Sequence, residues 1–215
     1  MKKLMIVGFG ESAYSSAVQI IPEQHDLWTL NNACETGLSF HQPIHTIFYM
    51  HTEIELGKNK LGDGTYLDYY KQLGEQGVRI MLCKKRSDIP NSCTYPRPPL
   101  DIAGSEGYFH GSSSWMLALA IAEGYEHIRI YGLDMQDYWH KPQRDSYLYW
   151  LGVAAGRGIQ IDGVTPVTEN TFTYGYDATI KEYQGYHYRQ TWSHIPLDPQ
   201  FKRKLATRAA KNLPS

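Results

Sequence analysis

The chain has 215 residues and 42% hydrophobic content, which is enough for one sizeable core. The formal net charge of −1 argues against a general nucleic-acid-binding protein. The three cysteines, Cys34, Cys83 and Cys93, share no metal-ligand spacing, so the sequence favours a reducing compartment and predicts no structural metal.

The N-terminal segment combines a short apolar run with two glycines. Lys3–Val7 predicts a buried first strand, followed by a helix that continues through Ala17 and Ile20 and ends at Pro22. The apolar run is far shorter than a signal peptide or a membrane span. We therefore expect a cytoplasmic protein without a membrane span.

The loop after this strand is the first candidate nucleotide site. Its candidate binding residues are Gly8, Gly10, Glu11 and Ser12, because glycines let a ligand approach the backbone and a helix N-terminus favours an anion. Ala13 breaks the dinucleotide fingerprint G-x-G-x-x-G, and no lysine completes a Walker loop. The alternative is an ordinary tight turn with Ser12 as a helix cap.

Two further strands are predicted at Asp26–Leu30 and Ile44–Tyr49. The first of them ends at Asn31 and Asn32, whose side-chain amides carry both donors and an acceptor and suit a ribose or a base. Asparagine also supplies turn geometry, so both interpretations stay open.

The next segment contains a polar helix, a strand and a long loop. The pattern predicts a helix over Tyr66–Gln76 and a strand over Val78–Cys83. Lys84–Gly107 is rich in prolines and polar turn residues. Loops of this length in compact domains are usually functional, so we interpret it as a lid.

Phe109–Met135 contains a buried helix and strand. The helix is apolar nearly all round from Trp115 to Ala122 and ends at Gly124, and a helix without a polar face is buried. The strand His127–Gly132 follows, and Asp134 lies just past it. Because open α/β sheets place ligands at the carboxyl ends of their strands, Asp134 is a candidate catalytic residue that orients a sugar hydroxyl or a metal.

The start of this helix is the second candidate anion site. Gly111, Ser112, Ser113 and Ser114 combine backbone amides with three hydroxyls, whereas a single serine would suffice as a cap. His140 is a candidate general base, because imidazole titrates near neutral pH. Other histidines compete for that role, namely His51, His110, His187 and His194.

The last elements complete a single α/β pattern. A helix over Ser146–Gly156 and a strand over Ile159–Ile161 follow, so residues 1–165 predict a Rossmann-like doubly wound, mostly parallel sheet. Residues 166–215 form an aromatic-rich C-terminal extension that ends in a basic helix, Phe201–Asn212. Tyrosines suit interfaces, so we expect a lid or a homo-oligomer contact there and no nucleic-acid partner.

Successive blocks of the chain resemble two related families. The blocks are MKKLMIVGFGES, HDLWTLNNA, IHTIFYM and GSSSWMLALAIAEGYEHIRIYGLDM. In this order they resemble the small bacterial sialyltransferases that modify lipooligosaccharide, and equally the Rossmann-like 6-hydroxymethylpterin diphosphokinase type. The later run QRDSYLYWLGVAAGRGIQI is similar to small phage-encoded proteins.

The sialyltransferase resemblance implies a CMP-sugar donor and a catalytic histidine in a lid. The donor would be held by Gly8, Gly10, Ser12, Asn31 and Gly111–Ser113. That family has an asparagine between the two loop glycines, whereas this chain has Phe9. The family also places two tyrosines near the donor phosphate, for which Tyr138 and Tyr147 are the candidates here.

The pterin-kinase resemblance implies different chemistry, with ATP and Mg²⁺ as partners. Carboxylates such as Glu11, Asp134 and Asp137 would then hold the metal. The sequence therefore favours a nucleotide-dependent transferase of the glycosyltransferase kind, with no firmly implied cofactor. A Mg²⁺-dependent pyrophosphoryl transferase and a non-catalytic nucleotide binder remain the alternatives.

Overall fold

A parallel sheet organises the fold. The computed structural model describes residues 1–14, 25–31, 33, 43–51, 60–61, 64–96, 108–135 and 140–163. The sheet contains β1 (Lys3–Val7), β2 (His25–Leu30), β3 (Thr46–Tyr49), β6 (Arg79–Leu82), β7 (Ser92–Thr94), β8 (His127–Tyr131) and β9 (Gln160–Asp162). A separate antiparallel pair is formed by β4 (Lys60–Leu61) and β5 (Gly64–Thr65). The α-helices are α1 (Tyr66–Glu75), α2 (Ser112–Ala122) and α3 (Arg144–Gly156), and 3₁₀-helices span Glu11–Tyr14 and Lys141–Gln143.

The strand order reverses beside the first strand. The order is β7-β6-β3-β2-β1-β8-β9, and every neighbouring pair in this sheet is parallel. The chain builds outward from β1 in one direction and then returns to add β8 on its other side. This arrangement confirms the predicted Rossmann-like α/β class, and such a reversal of strand order creates a crevice beyond the carboxyl ends of β1 and its neighbours.

Helices pack on both faces of the sheet. On one face α2 and α3 cover the strand residues Leu4, Ile6 and Trp28. On the other face α1 packs against Ile47 and Ile80. The alternation of side chains along each strand sends successive residues to opposite cores, so the buried part of β1, Leu4 to Val7, is apolar at every position.

Helix α2 is the most buried element, as its uniform apolarity predicts. Its residues from Met116 to Ile121 are all buried. Gly124 adopts a left-handed φ of +74° just beyond the helix, which a residue without a side chain accepts easily. The helix ends at Ala122, as the sequence predicts, and β8 begins three residues after Gly124.

Two sequence predictions are corrected by the structure. The segment after the first loop begins as a 3₁₀-helix, Glu11–Tyr14, while residues 15–24 lie outside the described residues. The predicted long loop contains the short strand β7, which pairs in parallel with β6. Three residues, Ser-Cys-Thr, carry too little periodicity to predict a strand from sequence.

Some predictions fall outside the described residues. Residues 164–215 are among these, so the C-terminal extension, its basic helix and the domain boundary at 165 stay predictions. The same holds for residues 97–107 of the proposed lid. Among the described residues, no helix is long and apolar enough to cross a membrane.

Candidate functional site

A cavity of about 450 Å³ opens at the carboxyl end of the sheet. Its walls come from the loops that follow β1, β2, β3 and β8, from the first turn of α2, and from His140 and Gln143. This is the crevice beside the reversal of strand order, where α/β folds bind ligands. The volume lies in the range of small-molecule sites. The predicted residues that line it are Gly8, Gly10, Asn31, Gly111, Ser112, Ser113, Asp134 and His140.

The N-terminus of α2 forms one end of the cavity. Gly111 is the N-cap in an extended conformation, and it provides no side-chain hydrogen bond to the first turn. Ser113 is only 2% exposed, and its hydroxyl finds no hydrogen-bond partner among the described residues. A buried hydroxyl without a partner costs free energy, unless a ligand supplies the partner. The helix start thus offers backbone N–H groups and a hydroxyl to an anion.

Ser114 plays a different part from its neighbour. It does not line the cavity, and its hydroxyl lies 2.8 Å from that of Ser146 in α3. The Ser146 hydroxyl in turn donates to the backbone oxygen of Gln143 at 2.9 Å. Ser114 therefore ties α2 to α3, and the binding role that the sequence predicts for it stays a prediction.

Asn31 is held in a left-handed conformation at the end of β2. Its φ is +42°, its N–H donates to the Phe48 oxygen at 2.7 Å, and its carbonyl accepts from the Tyr70 hydroxyl at 2.6 Å. The side-chain oxygen is buried and has no partner among the described residues. Asn31 therefore has its backbone satisfied by the protein, while its side chain retains an acceptor for a ligand.

The loops after β1 and β8 are clasped together by Ser12 and Asp134. The Ser12 hydroxyl donates to Asp134 Oδ1 and accepts from the Gly132 N–H at 2.7 Å. The Ser12 N–H donates to Asp134 Oδ2 at 3.0 Å. The Ser12 hydroxyl is thus engaged within the protein, and Ser12 does not line the cavity. Asp134 lines the cavity but has both oxygens engaged, so its predicted catalytic role stays a prediction.

The glycines of the first loop are explained by this clasp. A methyl group on Gly8 would overlap the Gly132 carbonyl, and one on Gly10 would overlap the Asp134 carboxylate. Both glycines therefore allow the two loops to approach each other, in addition to lining the cavity. From the sequence, the two glycines are interpreted as allowing a ligand to approach the backbone. The sequence alone does not reveal that the loop after β8 packs against them.

Comparison with known proteins identifies the fold. The chain matches no protein-family model and no curated protein. Among solved structures it matches the sialyltransferase CstII from Campylobacter jejuni in complex with cytidine-5'-monophosphate, with a TM-score of 0.53 and 16% identity over 77% of this chain and 80% of that one. The fold is similar to that of CstII.

Two further CstII structures support the same conclusion. A mutant of the α-2,3/8-sialyltransferase CstII gives a TM-score of 0.51 with 16% identity, covering 80% of this chain and 90% of that one. A CST-II complex with a trisaccharide acceptor and CMP gives 0.51 with 15% identity, covering 80% and 89%. These neighbours do not support the resemblance to pterin diphosphokinases or to phage proteins. At such low identity the similarity establishes the fold.

Three histidines reach the cavity. His51 follows β3, His110 precedes α2, and His140 precedes the 3₁₀-helix Lys141–Gln143; all three are exposed. The backbone oxygen of His140 accepts from the Gln143 N–H at 2.9 Å, which anchors the residue at the start of that turn. His187 and His194 lie outside the described residues, as do Asn32 and Tyr138, and the Glu11 side chain is not described.

Aromatic and apolar walls were not predicted as part of the site. Phe109 and Trp115 stack with centroids 3.9 Å apart, and both line the cavity. Tyr95, just after β7, donates its hydroxyl to the Trp115 oxygen at 2.6 Å. Met50 follows β3 just as Asn31 follows β2, so the strand-end rule could have found it. Trp115 carried no such signal, because its helix is apolar throughout.

The described residues do not gather a metal site. No three His, Cys, Asp or Glu side chains in this part of the chain lie close enough to hold an ion. Of the three carboxylates considered for Mg²⁺, only Asp134 has a described side chain, and it is engaged by Ser12. Tyr147, a candidate phosphate ligand, is fully buried in the core and does not line the cavity.

Proposed function

We propose that this chain is a glycosyltransferase whose donor is a nucleotide sugar with a single phosphate, of the CMP-sugar class. The observation that carries the proposal is the first turn of α2, which lines the cavity with an N-cap that has no side chain and with Ser113, whose hydroxyl has no partner among the described residues. Supporting it, the fold is similar to that of proteins crystallised with CMP and with CMP-3FNeuAc.

The charge of the cavity favours one phosphate over a polyphosphate. No Lys or Arg is among the described residues that line it. Helix N-termini and neutral donors stabilise a single phosphate well, whereas di- and triphosphates usually require a cation or a metal ion. The α2 N-terminus would stabilise the nucleotide phosphate as it leaves the sugar.

The remaining walls suit a nucleoside. Asn31 would accept a hydrogen bond from a ribose hydroxyl or from a base amino group. Phe109 and Trp115 provide flat apolar surface for a ring, in line with the mixture of apolar and polar groups typical of ligand sites.

In the proposed reaction His140 acts as general base. It takes the proton of an acceptor hydroxyl, whose oxygen forms a bond to the anomeric carbon of the donor sugar. The bond from that carbon to the phosphate oxygen breaks, and CMP leaves with the electron pair. His51 and His110 also line the cavity, so each is compared with His140 in the test below.

The proposal is tested by binding and turnover. Isothermal titration with CMP, CDP, UDP and ATP, each with Mg²⁺ and with EDTA, should show CMP binding that does not depend on Mg²⁺. Release of CMP from a CMP-sugar should then be lost in His140→Ala while CMP binding is retained, with His51→Ala and His110→Ala as matched variants. ATP binding only with Mg²⁺ would favour pyrophosphoryl transfer, and CMP binding without turnover would favour a non-catalytic binder.

A further inference from the structure

A buried tyrosine hydroxyl fixes the backbone that carries Asn31. Tyr70 lies in α1, on the face that packs against β3, and is fully buried. Its hydroxyl donates to the Asn31 carbonyl at 2.6 Å. Its ring packs against Tyr49 and Tyr69, with centroids 5.2 and 5.5 Å away, so the hydroxyl has little freedom to move.

This contact acts on a residue in an unfavourable conformation. Asn31 has a φ of +42°, a region that residues with side chains enter at some cost, asparagine least of all. Its N–H is bound to the Phe48 oxygen at 2.7 Å, so two different elements hold its two backbone groups. These two hydrogen bonds hold the backbone of Asn31 at the turn, and they thereby restrict the orientation of its side chain.

The side chain held in this way is one that a ligand can use. Asn31 lines the cavity, and its amide oxygen is buried without a partner among the described residues. If the backbone of Asn31 were released, the amide would gain other orientations and would pay entropy when a ligand ordered it. Tyr70 lies behind this turn and does not line the cavity.

We propose that Tyr70 is a positioning residue for nucleotide binding, which acts through Asn31. Its hydroxyl holds the Asn31 turn so that the amide oxygen is ready to accept a hydrogen bond from the nucleoside. The inference rests on the proposed function, because it requires that the cavity bind a nucleotide. It distinguishes the hydroxyl of Tyr70, which acts on the site, from its ring, which belongs to the core.

The test compares two tyrosines that each lose one buried hydroxyl. Tyr70→Phe removes the hydrogen bond to Asn31. Tyr125→Phe is the matched control, since Tyr125 is also buried and its hydroxyl donates at 2.6 Å to Asp26, near the amino end of β2 and away from the cavity. Urea unfolding should show a similar loss of stability in both variants. The Kd for CMP should rise about threefold to tenfold in Tyr70→Phe and less than about twofold in Tyr125→Phe.

A second pair of variants tests the route through Asn31. Asn31→Gly removes the amide and relieves the positive φ, so it should fold normally and bind CMP more weakly. Adding Tyr70→Phe to Asn31→Gly should produce no further change in Kd, because the group that Tyr70 positions is gone. If Tyr70→Phe alone fails to fold, 4-fluorophenylalanine at position 70 fills the space of the hydroxyl without supplying a donor, and a Kd for CMP equal to that of the wild type would then overturn the inference.

The outcomes separate this inference from the function beneath it. If the wild-type chain does not bind CMP, the proposed function fails and this inference falls with it. If the wild type binds CMP and Tyr70→Phe binds equally well, only the inference is overturned. It is also overturned if Tyr70→Phe weakens binding equally with and without the Asn31 amide.

Discussion

The polar residues around the cavity divide into those whose groups are satisfied within the protein and those whose groups are not. The hydroxyls of Ser114 and Ser12 form hydrogen bonds with other parts of the chain. Ser113 and Asn31 each retain a buried oxygen without a partner among the described residues. Because native proteins satisfy nearly all buried polar groups, the second kind are the groups that we propose a ligand satisfies in this cavity. Sequence spacing could not separate Ser113 from Ser114, since both are serines in the same turn.

These adjacent serines provide a matched pair of variants. Ser113→Ala should leave the stability of the ligand-free protein unchanged or slightly higher, because it removes a buried hydroxyl that has no partner in the described part of the chain. Ser114→Ala should lower the free energy of unfolding by about 1 kcal/mol, because it breaks the contact with Ser146. CMP binding should be affected by the other variant: Ser113→Ala should raise the Kd for CMP about tenfold or more, whereas Ser114→Ala should leave it unchanged. Urea unfolding and titration calorimetry measure both quantities, and equal effects of the two variants would contradict this assignment.

Two glycines provide a second comparison at the residue scale. Gly10→Ala places a methyl group against the Asp134 carboxylate and should destabilise the protein by about 1–3 kcal/mol. Gly152→Ala is the control, since Gly152 is exposed within α3 and a methyl group there meets no atom within 4 Å. That variant should stabilise the protein by roughly 0.5–1 kcal/mol. Chemical denaturation decides, and a Gly10→Ala variant as stable as the wild type would show that the two loops are not tightly packed.

At the scale of elements, the packing of α2 between the sheet and α3 determines where its N-terminus lies. The helix is apolar on every side, so it can be stable only between the sheet and α3. Tyr95, just after β7, and Ser146, in α3, each form a hydrogen bond with its first turn. The sequence predicted the buried helix correctly, but it did not predict β7, whose end places Tyr95 against Trp115.

The edge strand β9 is attached to β8 by a charged contact as well as by its ladder. The Asp162 carboxylate lies 2.6 Å from His127 Nε2 and 3.8 Å from Arg129 Nε. Burial on its own would raise the pKa of Asp162, but the hydrogen bonds from His127 and Gln160 outweigh it and hold the pKa below its ordinary value.

This lowered pKa predicts a pH-dependent contribution to stability. A group whose pKa is lower in the folded state stabilises the protein above its unfolded pKa of about 3.9, and loses that contribution as the pH falls through the folded pKa. The Asp162 side chain is 39% exposed, so the contribution is screened and should stay below about 1 kcal/mol. Urea unfolding of the wild type and Asp162→Asn should differ at about pH 5 and converge as the pH falls through the folded pKa of Asp162. A constant difference across this range would contradict the coupling.

At the scale of the whole molecule, the site is a product of topology. Strands that are distant in sequence bring Asn31, Met50 and Asp134 to one edge of the sheet, where the order reverses beside β1. The described cavity has no cationic lining residue, and the chain has a net charge of −1. Nucleotide binding should therefore depend on helix N–H groups and neutral hydrogen bonds more than on long-range attraction.

This electrostatic character predicts weak salt dependence. Raising NaCl from about 0.05 to about 0.5 M should change the Kd for CMP by less than about threefold, because screening acts mainly on contacts between separated charges. Titration calorimetry at several salt concentrations measures the change. A tenfold or larger loss of affinity would show that lysines or arginines outside the described residues take part in binding.

The sequence by itself determined the fold class, the central strands, the buried helix α2 and the edge of the sheet at which the cavity opens. It could do so because burial on both faces leaves long apolar runs, and because the carboxyl ends of parallel strands share one edge. Only the tertiary structure decided which polar groups at that edge are used by the protein itself. Ser12 and Ser114 differ from Asn31 and Ser113 in the partners that other elements bring to them, and those partners lie up to 122 residues away along the chain. Hydrogen-bond satisfaction is therefore a property of the folded molecule, and local sequence patterns do not carry it.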